Sequence, residues 1–247
     1  MTIRTEEELT GMRRVGALVA RTLNLMSDAV RPGVTTAELD AIAEEHAVAA
    51  GARSAPRLTY DFPGFTCISV NDEIVHGIPG ARVLADGDLV TLDVTLELDG
   101  FMADSARTVA VGAPPKGGTQ LLRTAREALE AGLAAALPGR RVRDVGAAID
   151  RSVRANGGWV FKELCGHGIG RKLHEEPSVP NWDDPDASMV LHEGLVLAVE
   201  PMLAGRVARI VEDDDGWTYR THNGALAVHM EHTVVVRAGG VEVLTTV

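Results

Sequence analysis

Two stretches of this chain follow one plan 106 residues apart: Pro32 recurs as Pro138, Gly33 as Gly139, Leu39 as Val145 and Gly51 as Gly157. Each stretch reads as a pair of helices. In the first, Thr5-x-x-Glu8 is a capping-box pattern, and Leu9, Met12, Val15, Val19, Leu23 and Met26 recur at helical spacing until Arg31-Pro32-Gly33 stops them. Thr35-x-x-Glu38 opens a second helix that Gly51 ends. The later pair runs through LLRTAREALEAGLAAAL to Pro138 and through VGAAIDRSVRAN to Gly157. After each pair come β-rich segments, among them CISV, LVTLDVTLEL, RTVAVG, GLVLAV and EHTVVV, joined by Asp-Gly, Pro-Gly and Asn-Asp steps. The expected class is α+β, a duplicated body with pseudo-twofold symmetry whose helices cover one face of a curved antiparallel sheet. A chain of 247 residues is enough for one such body, and GAPPKGGTQ separates halves of about 1–112 and 119–247.

Within those strands lie residues that do not belong in a core. Asp93, Glu200 and Glu231 interrupt LVTLDVTLEL, LVLAVEPM and HMEHTVVV, runs that contain no Lys or Arg. An ionised carboxylate is almost never buried unless something positive neutralises it, and leaving it unpaired costs several kcal/mol. A bound divalent cation is the simplest partner. Asp99-Gly100 is the strongest two-residue hairpin turn in the chain. If it pairs Leu98 with Phe101, then Asp93 opposes Ala106 and Asp104 opposes Thr95, so the two Asp residues share a face as diagonal neighbours about 7 Å apart. Together without a cation they would repel, and one would stay protonated. Metal ions about 3.5–4 Å apart remove that conflict. Alternatively, both Asp residues sit on the solvent side of the hairpin.

His167 and His174 lie in ELCGHGIGRKLHEEPSVP, a Gly-broken stretch suited to a loop or bulged strand near a site. Its spaced glycines lack the helix opening or P-loop Lys of a nucleotide fingerprint. His46 and His222 read as structural. A formal charge of -11 and the lack of a basic block argue against a nucleic-acid surface. Cys67 and Cys165 show no C-x-x-C spacing, so neither a disulfide framework nor a thiolate zinc site is expected. The polar, acidic start and the lack of an apolar run of roughly 18 residues predict a cytoplasmic protein with no membrane span.

The segments NDEIVHGIP, VTLDV, ADSART, CGHGIGRKLHEEP, AVEPM and MEHTVVV, in that order, resemble the motifs of type I methionine aminopeptidases of peptidase family M24. The resemblance covers nearly the whole chain. It implies the pita-bread fold, a duplicated body that holds two divalent metal ions (Co, Mn, Fe(II) or Zn), with a monovalent-cation site near Asn71 and the strand before Glu231. By motif, Asp93 would chelate one ion, Asp104 and Glu231 would bridge both, and His167 and Glu200 would complete the shell. Such an oxygen-rich set with one imidazole suits Mn, Fe(II) or Co better than a closed zinc site. The resemblance also implies roles in catalysis. Glu200 would carry the proton during hydrolysis, His174 would steady the oxyanion and His76 would contact the scissile amide.

Phe62, Cys67, Leu173 and Trp217 resemble the lining of the methionine pocket, where a soft apolar wall suits a thioether. Thr59 departs from the family by standing where many members place an aromatic, and Leu173 where many have Phe. The implied activity is removal of Met from nascent polypeptide N-termini when the second residue is small, by a monomer that touches the ribosome transiently. The rival of the same fold is an Xaa-Pro aminopeptidase or prolidase. Those enzymes usually carry an extra N-terminal domain, whereas this chain opens almost at the first helix of the repeat.

Overall fold

The computed structural model describes residues 1–247. Helix α1 spans Glu6–Ala29 and begins where Thr5 Oγ1 accepts the Glu8 N–H at 3.2 Å. Helix α2 spans Thr36–Ala49, and its Thr35–Glu38 capping box closes in both directions. A short α3 covers Ala55–Tyr60. Helix α4 runs Gly118–Ala135 and α5 runs Val142–Ala155, so both ends of α5 repeat those of α2 with the 106-residue shift. The first turns are tied down alike. Thr36 and Ala37 donate to the Arg82 and Gly80 carbonyls, and Val142 and Arg143 donate to those of Met189 and Ala187. One boundary moved: Gly118–Gln120, expected in the connecting linker, form the first turn of α4 behind Gly117, whose φ of 82° sets the entry.

The hairpin forms in the expected register. Strands Leu89–Leu98 and Phe101–Ala110 pair along all their length, with Leu98 opposite Phe101, Asp93 opposite Ala106 and Thr95 opposite Asp104. Asp99 and Gly100 both take positive φ, as a type I′ turn requires. In the second half the corresponding hairpin is broken into two pieces of one register. Val199 faces His232, while Met202 faces His229. The break falls at Pro201, which has no N–H to give to a ladder. Hydrogen bonding therefore divides the expected curved surface into four antiparallel sheets.

Apolar residues of α1 and α2, such as Met12, Val19 and Leu39, pack on Leu92, Val94 and Leu96. Leu121, Val145 and Ile149 of α4 and α5 pack on Leu197, Val199 and Val234. Between these cores the inner strands of the halves meet. Glu231 N–H donates to the Ala106 carbonyl at 2.9 Å, and Ser105 Oγ donates to the Glu231 carbonyl at 2.7 Å. Thr233 Oγ1 clasps the backbone of Asp104, accepting its N–H at 2.9 Å and donating to its carbonyl at 2.8 Å. These clasps fix the backbone beneath the buried acids.

Candidate metal centre

Asp93, Asp104, Glu200, Glu231 and His167 converge on one cavity of about 900 Å³. Asp104, Glu231 and His167 place ligand atoms within 4.8 Å of one another. His167 Nε2 lies 3.3 Å from Glu200 Oε1, while its Nδ1 is 2.9 Å from the Gly168 carbonyl. A carbonyl oxygen only accepts, so Nδ1 carries the hydrogen and Nε2 turns a lone pair on the acids. His167 can reach them because glycines flank it. A Cβ on Gly166 would lie 2.4 Å from the Ala198 carbonyl oxygen, and one on Gly168 would lie 2.2 Å from that of Glu176.

Each carboxyl is driven toward its neutral form. Burial, then the charges of its acidic neighbours, pushes Asp93, Glu200 and Glu231 well above the usual carboxylate range. Burial raises Asp104 to about 6 against the opposing hydrogen bond of Thr95. Glu200 is paired with the imidazoles of His167 and His229, and Glu231 with that of His229. Burial, then the neighbouring charge of His174, lowers His167 to about 4, so it brings no positive charge at neutral pH. Oδ1 of Asp93, Oδ1 of Asp104 and Oε1 of Glu231 are buried without a hydrogen-bond partner. Orphaned acceptors facing a neutral imidazole lone pair form a donor set for a cation, and carboxylates with imidazole suit a divalent one.

His76 and His174 border the same cavity. The His174 ring stands 4.3 Å from that of His167, edge to face, and its Nδ1 is hydrogen-bonded to the Tyr60 hydroxyl. His76 holds a positive φ of 60°, a sparsely populated backbone state for a residue with a Cβ, and burial followed by His174 lowers it to about 4. Beside the acids, a second cavity of about 330 Å³ is lined by Phe62, Cys67, Leu173 and Trp217 together with Tyr60. Phe62 and Trp217 meet edge to face at 5.2 Å. The aromatic missing at Thr59 is thus supplied one residue later, at the end of α3. His46 and His222 lie elsewhere in structural hydrogen bonds, with Thr22 and the Arg209 N–H.

The family model for metallopeptidase family M24 matches residues 10–238. A methionine aminopeptidase of Clostridium perfringens is 42% identical over 245 residues, 99% of this chain and 98% of that protein. The chain belongs to family M24, among its methionine aminopeptidases. A solved methionine aminopeptidase from Thermotoga maritima superposes with a TM-score of 0.96 at 35% identity over 100% of both chains. The prolidase of Pyrococcus furiosus, at 22% identity and a TM-score of 0.81, shares the fold over 66% of its own length. Membership of a metallopeptidase family implies that the chemistry of this chain uses divalent metal.

Tyr60 and His229 border the site without a signal in residue order. Tyr60 lies in a helix too short to show a period. His229 stands in AVHMEHT, where a histidine next to strand residues looks like ordinary alternation.

Proposed function

We infer that this chain removes the N-terminal methionine from polypeptides whose second residue is small, by hydrolysis of the first peptide bond. The observation that carries this reading is the junction of two environments. Asp93, Asp104 and Glu231, each with an orphaned buried oxygen, stand with Glu200 beside a cavity of about 330 Å³ whose apolar wall is Phe62, Cys67, Leu173 and Trp217. Residues 1–247 act as one catalytic unit whose halves, about 1–112 and 119–247, each supply ligands.

Asp93, Asp104, His167, Glu200 and Glu231 would hold two divalent ions in this reading. Such ions would neutralise the acids and supply Lewis acidity toward the carbonyl of the first peptide bond. The substrate methionine lies against Phe62, Cys67, Leu173 and Trp217. Glu200 takes the proton of the attacking water and returns it to the leaving amine, a transfer worth about 10²–10⁴ in rate. His174 is neutral because burial lowers its pKa. With the Tyr60 hydroxyl donating to Nδ1, the hydrogen sits on Nε2, from which His174 steadies the oxyanion. His76, also neutral, donates to the amide beyond the scissile bond. The Asn71 carbonyl and the strand before Glu231 adjoin through the Ala227 N–H at 2.8 Å, where a monovalent cation would brace the inner strands.

The substrate is a nascent or newly released N-terminus met by a monomer in the cytoplasm, with transient ribosome contact. The test is to strip the protein of metal, restore Mn, Fe(II) or Co, and compare Met-Ala-Ser with a Leu-Pro peptide. Restored hydrolysis of Met-Ala-Ser is expected, and preference for the Leu-Pro peptide would overturn the assignment in favour of the prolidase-like reading.

A further inference from the structure

His229 is a second imidazole inside the acid cluster, outside the ligand set that motif matching supplies. It is 1% exposed, and neither ring nitrogen has a hydrogen-bond partner. Its Nε2 lies 3.5 Å from Glu200 Oε2 and 3.6 Å from Glu231 Oε2. Those separations are too long for hydrogen bonds. They fit the edges of a coordination polyhedron, because ligands about 2.1 Å from one ion at tetrahedral angles lie about 3.4 Å apart. Glu200, His229 and Glu231 form a second buried triad with ligand atoms within 4.8 Å, sharing Glu231 with the triad of Asp104 and His167.

The duplicated scaffold gives an independent argument. In the first half Asp93 opposes Ala106 and Thr95 opposes Asp104. In the second half Met202 opposes His229, and the same register carries Glu200 opposite Glu231. Placing Asp93 on Glu200 therefore brings Thr95 onto Met202, Ala106 onto Glu231 and Asp104 onto His229. The backbone clasps repeat as well. Thr108 Oγ1 accepts the His229 N–H at 2.8 Å and donates to its carbonyl at 3.0 Å, as Thr233 does for Asp104. His229 occupies the second-half counterpart of a ligand position, anchored by the same device.

We propose that His229 is a further metal ligand, its Nε2 joining Glu200 and Glu231 on one ion, so that the centre carries two imidazoles. The proposal rests on the metal-centre reading above. An added nitrogen donor shifts preference from Mn(II), which favours oxygen ligands, toward Co(II), Fe(II) or Zn(II).

The test uses fully cobalt-loaded protein and X-ray absorption to count imidazoles, with calorimetric titration of Co(II) and Mn(II) into metal-stripped parent, His229→Gln and His229→Ala. The expected parent count is one imidazole per cobalt on average. It should fall to one per two cobalts in both variants, while the Co(II) dissociation constant rises at least tenfold and that for Mn(II) rises less. A parent count of one imidazole per two cobalts would overturn the proposal without any variant having to fold. Weaker binding with an unchanged count would also overturn it, by showing that His229 acts through the two Glu residues. His167→Ala separates the two readings: it should lose an imidazole whatever His229 does. Cobalt binding that ignores His167 would sink the centre itself.

Discussion

Glu200 sits between two imidazoles, with Oε1 facing His167 and Oε2 facing His229, and neither ring is charged at neutral pH. Such a carboxylate is stable only beside a cation, which is why its place in an apolar strand without Lys or Arg was legible from residue order alone. The histidines were less so. His167 is betrayed by its flanking glycines, whereas His229 follows the ordinary alternation of a strand and is revealed only by the cross-strand register. At this scale His76 separates metal binding from catalysis, since the role proposed for it lies outside the ligand shell. His76→Ala should retain full metal content by mass spectrometry while kcat on Met-Ala-Ser falls by about 10²-fold or more. His174→Ala should likewise lose about 10²–10³ in kcat, the usual worth of one oxyanion donor, with metal content intact. Loss of metal from either variant would place that histidine in the shell instead.

Among the elements, helix starts and the first hairpin follow from local chemistry: an N-cap at Thr5 whose Glu8 carboxylate turns to the Arg4 N–H instead of closing a box, a full capping box at Thr35, and a turn at Asp99-Gly100 whose residues tolerate positive φ. The second-half hairpin was harder to read because Pro201 interrupts it, and an interruption looks the same as two separate strands. The strand carrying His167, Cys165–Gly168, is pressed between Glu175–Pro180 and Val196–Val199. Its glycines are there for closeness and not for turn geometry. Gly166→Ala should push this strand off Val196–Val199, lowering both the melting temperature and the affinity for metal, because its Cβ would meet the Ala198 carbonyl and Glu200 Cγ. Gly157→Ala is the control. It sits at φ 74° with nothing within 4 Å, so it should cost about 1 kcal/mol of stability and leave metal binding unchanged. Equal metal affinities in the two variants would show that the close approach does not position His167.

Over the whole molecule, duplication explains why the candidate ligands divide between halves, and the buried acids make stability depend on pH and on the proposed metal together. In the metal-stripped protein Asp93, Glu200 and Glu231 have folded pKa values raised well above their unfolded ones. Their contribution to stability is therefore present at low pH and lost as pH rises through the folded values. His76, His167 and His229 act in the opposite direction. Their folded pKa values of about 4, 4 and 3 lie below the ordinary 6.5, so they restore stability as pH rises toward 6.5 and add nothing further above it. Above about pH 6.5 only the acids remain, and metal-stripped protein should melt at falling temperature as pH increases. Protein loaded with Mn(II) should not, so the gap between the two melting curves widens with pH. Parallel curves would mean that the acids are neutralised by something other than a cation.

Calorimetric titration of Mn(II) into chelator-stripped protein near pH 7 tests the account most directly. Two ions per chain are predicted, with protons released as the buried carboxyls ionise. Saturation without proton release, or no binding below millimolar concentration, would contradict it.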